Sequence, residues 1–282
     1  MLRKTLLRAM SKQAFRIALY ATLTAVSLAM VFPFGWMILT SLKTQPETIQ
    51  IPPRLLPEAP QWVNYLAVWR QIPLLRYFMN TVIVTVLTLA GVLLTSCLAA
   101  FAFSFRRFRG RDLTFMALLG MMMIPQPVYL VPAYVILAKL GWLDTFYALV
   151  VPWTVNIFSI FLIRQHFKTV PWSLYEAARM DGAGDLRFLW HVLLPVSRPV
   201  LVTVSLFSVI GSWNSFLWPL IVTNSEKVRP LQVGLAYFSQ EQGSFWPHLM
   251  AASTLVILPL AVFYLFAQRQ ITESFVTSGI KE

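Results

Sequence analysis

Six stretches of this chain, each 19 to 29 residues long, contain no Asp, Glu, Lys or Arg: Ile17–Leu42, Tyr77–Phe105, Leu113–Ala138, Thr145–Ile163, Pro199–Ser225 and Gln242–Gln268. A helix needs about 20 mainly apolar residues to cross about 30 Å of hydrocarbon. In lipid every backbone polar group must be satisfied within the structure, so such runs predict helices rather than irregular spans. The whole chain is 57% hydrophobic and only 12% charged, about half the charge of an ordinary soluble domain. A soluble core of this length could not hide that much apolar surface. The composition predicts an all-α polytopic membrane protein with six transmembrane helices.

Charge then orients it. With the N-terminus in the cytoplasm, sixteen Lys and Arg residues fall on the inner side, from Arg3, Lys4, Arg8, Lys12 and Arg16 through Arg106, Arg107, Arg109 and Arg111 to Arg269 and Lys281. Seven fall outside: Lys43, Arg54, Arg70, Arg76, Lys139, Lys227 and Arg229. This is the positive-inside bias of a membrane protein with both termini cytoplasmic. The net charge of +12 is thereby accounted for without a nucleic-acid partner. The first run is too long for a cleavable signal and lacks a small-residue cleavage site, so it reads as a retained span. Cys97 lies mid-span, where a single cysteine forms no intrachain disulfide.

The expected organisation is a basic cytoplasmic tail over 1–16, a first helix over 17–42, an external proline-rich loop over 43–76, a core of five spans over 77–268, and a cytoplasmic tail over 269–282. The core includes a cytoplasmic loop at 164–198. Within the external loop Trp62, Tyr65, Leu66 and Trp69 recur at helical spacing. Tryptophan and tyrosine favour the membrane–water boundary, so this short helix is expected flat against membrane lipid, with a protein-docking face as the alternative. Pro125, Pro127 and Pro132 predict a break in the third span. Such breaks either line transport paths or serve packing alone.

Several chemistries are missing. No span carries a charged residue of the kind that marks proton relays or ion coupling. The chain has no Gly-x4-Gly-Lys-[Ser/Thr] phosphate loop, and His166, His191 and His248 show no metal-ligand spacing. No nucleophile–base–orienter set can be assembled. No catalytic residue, metal site or cofactor is expected in this chain. If it moves a solute, the energy comes from another subunit.

The loop at 164–198 is one of the most polar stretches of the chain. Pro171 can open a helix on which Trp172, Tyr175 and Arg179 share a face. Gly182 and Gly184 interrupt it, Asp185 is placed to cap a second short helix, and Phe188, Leu189, Val192 and Leu193 form an apolar stripe ending at Pro195. The expected object is an elbow of two short helices joined stiffly to the fifth span. It would either rest on headgroups as an interfacial helix or dock in a groove of a soluble partner.

The pattern Glu176-Ala177-Ala178-x3-Gly182-x9-Val192-x-Leu194-Pro195 resembles the signature of inner-membrane permease subunits of binding-protein-dependent ABC importers. Asp181-Gly182-Ala183, Trp213-Asn214-Ser215-Phe216-Leu217-Trp218-Pro219-Leu220 and Arg229-Pro230-Leu231-Gln232-Val233-Gly234-Leu235 resemble the six-span, maltose-transporter type of the carbohydrate branch. Val192 stands where that family usually has isoleucine. Gln270-Ile271-Thr272-Glu273 departs from its usual tail.

The resemblance implies a type I ABC importer permease fold in a bacterial or archaeal inner membrane. It also implies a second homologous permease subunit, two ATPase subunits that bind ATP and Mg, and an extracytoplasmic solute-binding protein. Glu176, Ala177, Ala178, Arg179, Asp181, Gly182, Leu194 and Pro195 would couple to the ATPase. Asn156, Trp213, Asn214 and Trp218 could line the path of a carbohydrate-like substrate, the alternative for the tryptophans being interface anchoring. An ion-coupled carrier acting alone and a non-transporting scaffold or sensor remain the competing functional readings.

Overall fold

The computed structural model describes residues 2–243 and 245–279, and every regular element among them is helical. The basic side chains at Arg3, Lys4, Arg8, Lys12 and Arg269, and Lys281 altogether, lie outside the described residues. The chain forms two compact units, Met1–Ile72 with Phe238–Leu255 and Pro73–Tyr237 with Val256–Glu282.

In the first unit, α1 (Leu2–Ser41) is one unbroken helix of 40 residues, so the tail and the first span are a single rod. At about 1.5 Å per residue it is roughly twice as long as the hydrocarbon is thick. A short α2 (Gln45–Ile49) follows, where Glu47 accepts a bond from the backbone N–H of Thr44. The helix expected near 62–69 is α3 (Val63–Gln71), which buries Asn64 and Val68. Asn64 donates its amide to the carbonyls of Ser41 and Lys43, at 2.8 and 3.0 Å. Trp62 and Trp69 stay exposed, as both membrane anchoring and protein docking require.

The second unit is built around α4 (Leu74–Phe105), whose 32 residues pack along two later helices. Next come α5 (Arg111–Met121), α6 (Gln126–Lys139), α7 (Phe146–Val150), a 3-10 turn at Val151–Trp153, and α8 (Ile157–Phe167). The loop expected between spans four and five holds α9 (Trp172–Met180), α10 (Asp185–Phe188), a π-helical turn at Leu189–Leu193, and α11 (Leu194–Val196). Then follow α12 (Arg198–Trp213) and α13 (Leu217–Val222). The last two helices, α14 (Leu231–Gln242) and α15 (Trp246–Gly279), have residues in both units. The chief partners of α4 are α8 and α12.

Four helices among the described residues are long and apolar enough to cross a bilayer: Phe15–Ser41, Leu74–Phe105, Phe146–Phe167 and Trp246–Leu265. Counting each of two bent pairs as one span brings the number to six. One is α5 with α6, at 99°, and the other is Asp185–Val196 with α12, at 84°. The first bend falls where the prolines predict it. Pro125 precedes α6, and i→i+3 bonds from Met122, Met123 and Ile124 to Leu119, Gly120 and Met121 close the turn. The fifth apolar run is also interrupted, because α12 ends at Trp213 and the helix resumes only at Leu217.

Candidate functional site

Two regions carry the polar residues that the sequence singles out, and both lie within the second unit. The first is the elbow. On α9 the inward positions are Tyr175 and Ala178, three residues apart and both buried, as one face of a helix demands. Glu176, Ala177, Arg179, Asp181 and Gly182 are all exposed on the other side, and Met180 among them is 83% exposed.

The helix ends where Gly182 enters the left-handed region, φ +76°, which glycine alone adopts without penalty. Ala183 N–H donates to the Ala178 carbonyl at 2.9 Å and Gly182 N–H to that of Arg179 at 3.1 Å. This is a Schellman cap, and Ala178 and Ala183 complete its usual apolar contact in the same core.

The inward side is clamped by rings. Phe105, the last residue of α4, stacks on Trp172 at 5.6 Å and 12° and meets the rings of Tyr175 and Phe188 at 5.6 and 5.4 Å. Aromatic pairs at these separations contribute about 0.5–1.5 kcal/mol each beyond area burial. Asp185 does not cap its helix. It sits in the first turn of α10, behind Gly184, accepts the Tyr175 hydroxyl at 2.9 Å and pairs with Arg106. Burial, then the bond to Asp185, raises the Tyr175 hydroxyl above its ordinary pKa.

Leu194 is half-buried and Pro195 exposed. Ahead of Pro195, which has no N–H to give, the helix widens so that Leu194 N–H reaches the Leu189 carbonyl, a π-type turn of the sort found at such interruptions. The elbow meets the fifth span through an 84° bend at Ser197, across which the Ser197 N–H bonds the Leu193 carbonyl at 3.0 Å.

Beside the elbow, Arg164 is buried against the Phe115 ring at 3.8 Å and reaches the Asp112 carboxylate at 3.5 Å. Arg111 bonds the same carboxylate at 3.0 Å and holds its pKa below the ordinary value.

The second region is a cavity of about 520 Å³, whose lining includes Gln126, Trp153, Asn156, Ser212, Asn214 and Trp218. Three of the four residues expected on a solute path are thus brought together. Asn156 opens α8, its Oδ1 accepting from Ser159 N and Oγ at 2.8 and 2.9 Å. Asn214 donates to the Ile210 carbonyl at 3.0 Å. Trp218 is almost wholly buried and donates its indole N–H to Ala148 at 2.9 Å, so only an edge of its ring serves the cavity. Trp213 is elsewhere, packed edge-on against Phe78 at 5.8 Å.

Sequence reasoning missed Gln126, Ser212 and Trp153 as lining residues and Phe105, Arg106 and Tyr175 as the clamp. The proline pair around Gln126 was the one signal that could have found it. Among the described residues no cluster of His, Cys, Asp or Glu could hold a metal ion.

These arrangements stand beside clear likenesses to known proteins. The family described as "Binding-protein-dependent transport system inner membrane component" matches residues 91–275. A putative ABC transporter permease protein, ORF2, of Caldicellulosiruptor sp. is 34% identical over 251 residues, covering 88% of this chain and 91% of its own. The arabinooligosaccharides transport system permease protein AraQ of Bacillus subtilis is 27% identical over 270 residues, covering 95% and 96%. A bacterial ABC transporter that imports the acidic polysaccharide alginate has a chain that superposes with a TM-score of 0.82 at 26% identity, covering 92% of this chain and 97% of its own.

Proposed function

The chain belongs to the family of binding-protein-dependent transport system inner membrane components, and from that premise we propose that it forms half of a translocation pathway opened and closed through its 176–195 elbow. It is a permease subunit of an ABC importer, a transport component of the inner membrane. That membership sets aside the lone ion-coupled carrier and the scaffold. The family works with an ATPase and a solute-binding protein.

In this reading the partners are a second homologous permease, two ATPase subunits holding ATP and Mg²⁺, and an extracytoplasmic binding protein. Both chain termini are cytoplasmic. Glu176, Ala177, Arg179, Asp181 and Gly182 enter a cleft of the ATPase, with Ala178 packed behind them in the core and Leu194 and Pro195 shaping the exit of the elbow. Closure of the ATPase pair then rocks the spans about a central site, the usual form of alternating access. The solute is carbohydrate-like and passes the cavity that Asn156, Asn214 and the edge of Trp218 help to line. Neutral amides, hydroxyls and indole rings suit a polyhydroxylated solute.

The observation that carries this is the two-sidedness of α9: Tyr175 and Ala178 are buried while Glu176, Arg179 and Asp181 stand out of the fold. Glu176→Lys in the complete importer, reconstituted in vesicles, tests it. The variant should insert and assemble its spans yet lose uptake and uptake-linked ATP hydrolysis. Normal uptake would overturn the reading.

A further inference from the structure

The elbow has two routes into the bundle. The covalent route runs from α10 through a widened π turn and an 84° bend at Ser197 into α12. Backbone bonds still bridge the bend, Ser197 N–H to the Leu193 carbonyl at 3.0 Å and Leu201 N–H to that of Ser197 at 3.2 Å, but the change of axis turns a push along α10 away from the direction of α12. The lateral route is short. Phe105 and Arg106, the last residue of α4 and its C-cap, touch both helices of the elbow at once. The Phe105 ring meets Trp172 and Tyr175 on α9 and Phe188 on α10. Arg106 pairs with Asp185, which also accepts the Tyr175 hydroxyl. Asp185 is therefore bonded to α9 and to the end of α4 while itself belonging to α10.

We infer that Asp185 is a positioning residue, locking α9, α10 and the cytoplasmic end of α4 into one body so that displacement of the elbow is delivered to α4. This rests on the coupling reading above. The pair suits that role better than one of stability. Arg106 is 55% and Asp185 19% exposed, and a pair this open to water contributes little to folding. What it supplies is direction. Ring contacts resist separation but permit sliding, whereas an ion pair shared with a hydroxyl fixes register. The helix that receives the load is also the one packed along both α8 and α12, so moving its end moves the centre of the unit.

The experiment uses the full importer in vesicles and reads uptake and ATP hydrolysis together. Asp185→Arg and Arg106→Asp should each lower the solute moved per ATP hydrolysed, by about tenfold, with the ATPase still co-purifying. The double exchange, Arg106→Asp with Asp185→Arg, should recover most of that loss, as a direct pair demands. Tyr175→Phe, which removes one hydroxyl and leaves the rings, should lower the ratio by about two- to threefold. An unchanged ratio in both single reversals overturns the inference, as does a double exchange no better than the singles. Glu176→Lys run alongside separates the layers. If it leaves uptake and ATPase retention normal, the docking reading itself fails. If it abolishes them while the Asp185 series is silent, only the α4 linkage fails.

Discussion

Thr154 leaves room for nothing beyond hydrogen at position 91: a Cβ on Gly91 would lie 2.5 Å from Thr154 Cγ2 and 2.7 Å from its Cβ. One turn further along α4, the Thr95 hydroxyl donates to the Thr154 carbonyl at 2.6 Å. Helix α4 is thus set directly on the turn that carries Trp153 and Asn156 into the cavity. Gly91→Ala should push that wall outward and destabilise the protein by about 1–3 kcal/mol. The thermal midpoint of the detergent-purified complex would fall, and uptake with it. An unchanged midpoint would show that the turn gives way freely.

Gly182 offers a case of strain without crowding. Nothing lies within 4 Å of a Cβ added there, yet φ is +76°. Gly182→Val should cost about 1–2 kcal/mol locally and misdirect the Schellman turn, lowering uptake. Gly182→Asn should retain most of it, since Asn tolerates the left-handed region. Equal uptake by the two would refute a conformational role for this glycine.

Asn156 has a capping role that can be separated from its place in the cavity. Asn156→Ala should cost α8 about 1 kcal/mol, visible as a lower thermal midpoint. Asn156→Asp keeps an acceptor for Ser159 and suits a helix N-terminus, so the midpoint should hold. It also places a negative charge in the cavity, and uptake should fall. Normal uptake in Asn156→Asp would remove this residue from the path.

Acid should loosen the junction at Asp144. Its carboxylate accepts from the Asn224 and Ser225 N–H groups, both at 2.9 Å. Burial pulls its pKa upward, but these bonds outweigh it and the value lies below the ordinary one. A carboxyl with a depressed folded pKa stabilises the protein above its unfolded value of about 4. That contribution is lost as pH falls through the lower, folded value. The thermal midpoint should therefore drop with acidification below about pH 4. Asp144→Asn should start lower at neutral pH and show a flatter fall. Parallel curves for the two proteins would contradict the assignment.

The charge-free runs made the class legible, because lipid admits so few backbone solutions. The break at Pro125 was legible for a similar reason, a missing N–H being a local fact. The turn at Gly182 was read from residue type alone. What escaped was tertiary. Asp185 looked like a cap, and only the approach of Tyr175 and Arg106 gives it other work. Trp213 and Trp218 sit in one aromatic word of the sequence, yet one packs on Phe78 and the other bonds Ala148. Phe105 reads as one more apolar residue at the end of a span until its three ring partners converge on it.

The right-angled break between α5 and α6 bears on how such a protein is made. Neither half, at 11 and 14 residues, reaches across a membrane by itself, and the corner between them cannot rest against acyl chains. The third apolar stretch thus cannot settle as an independent rod when it leaves the ribosome. Its insertion is completed only when other segments cover that corner, so this stretch joins the membrane as part of an assembly of helices rather than ahead of it.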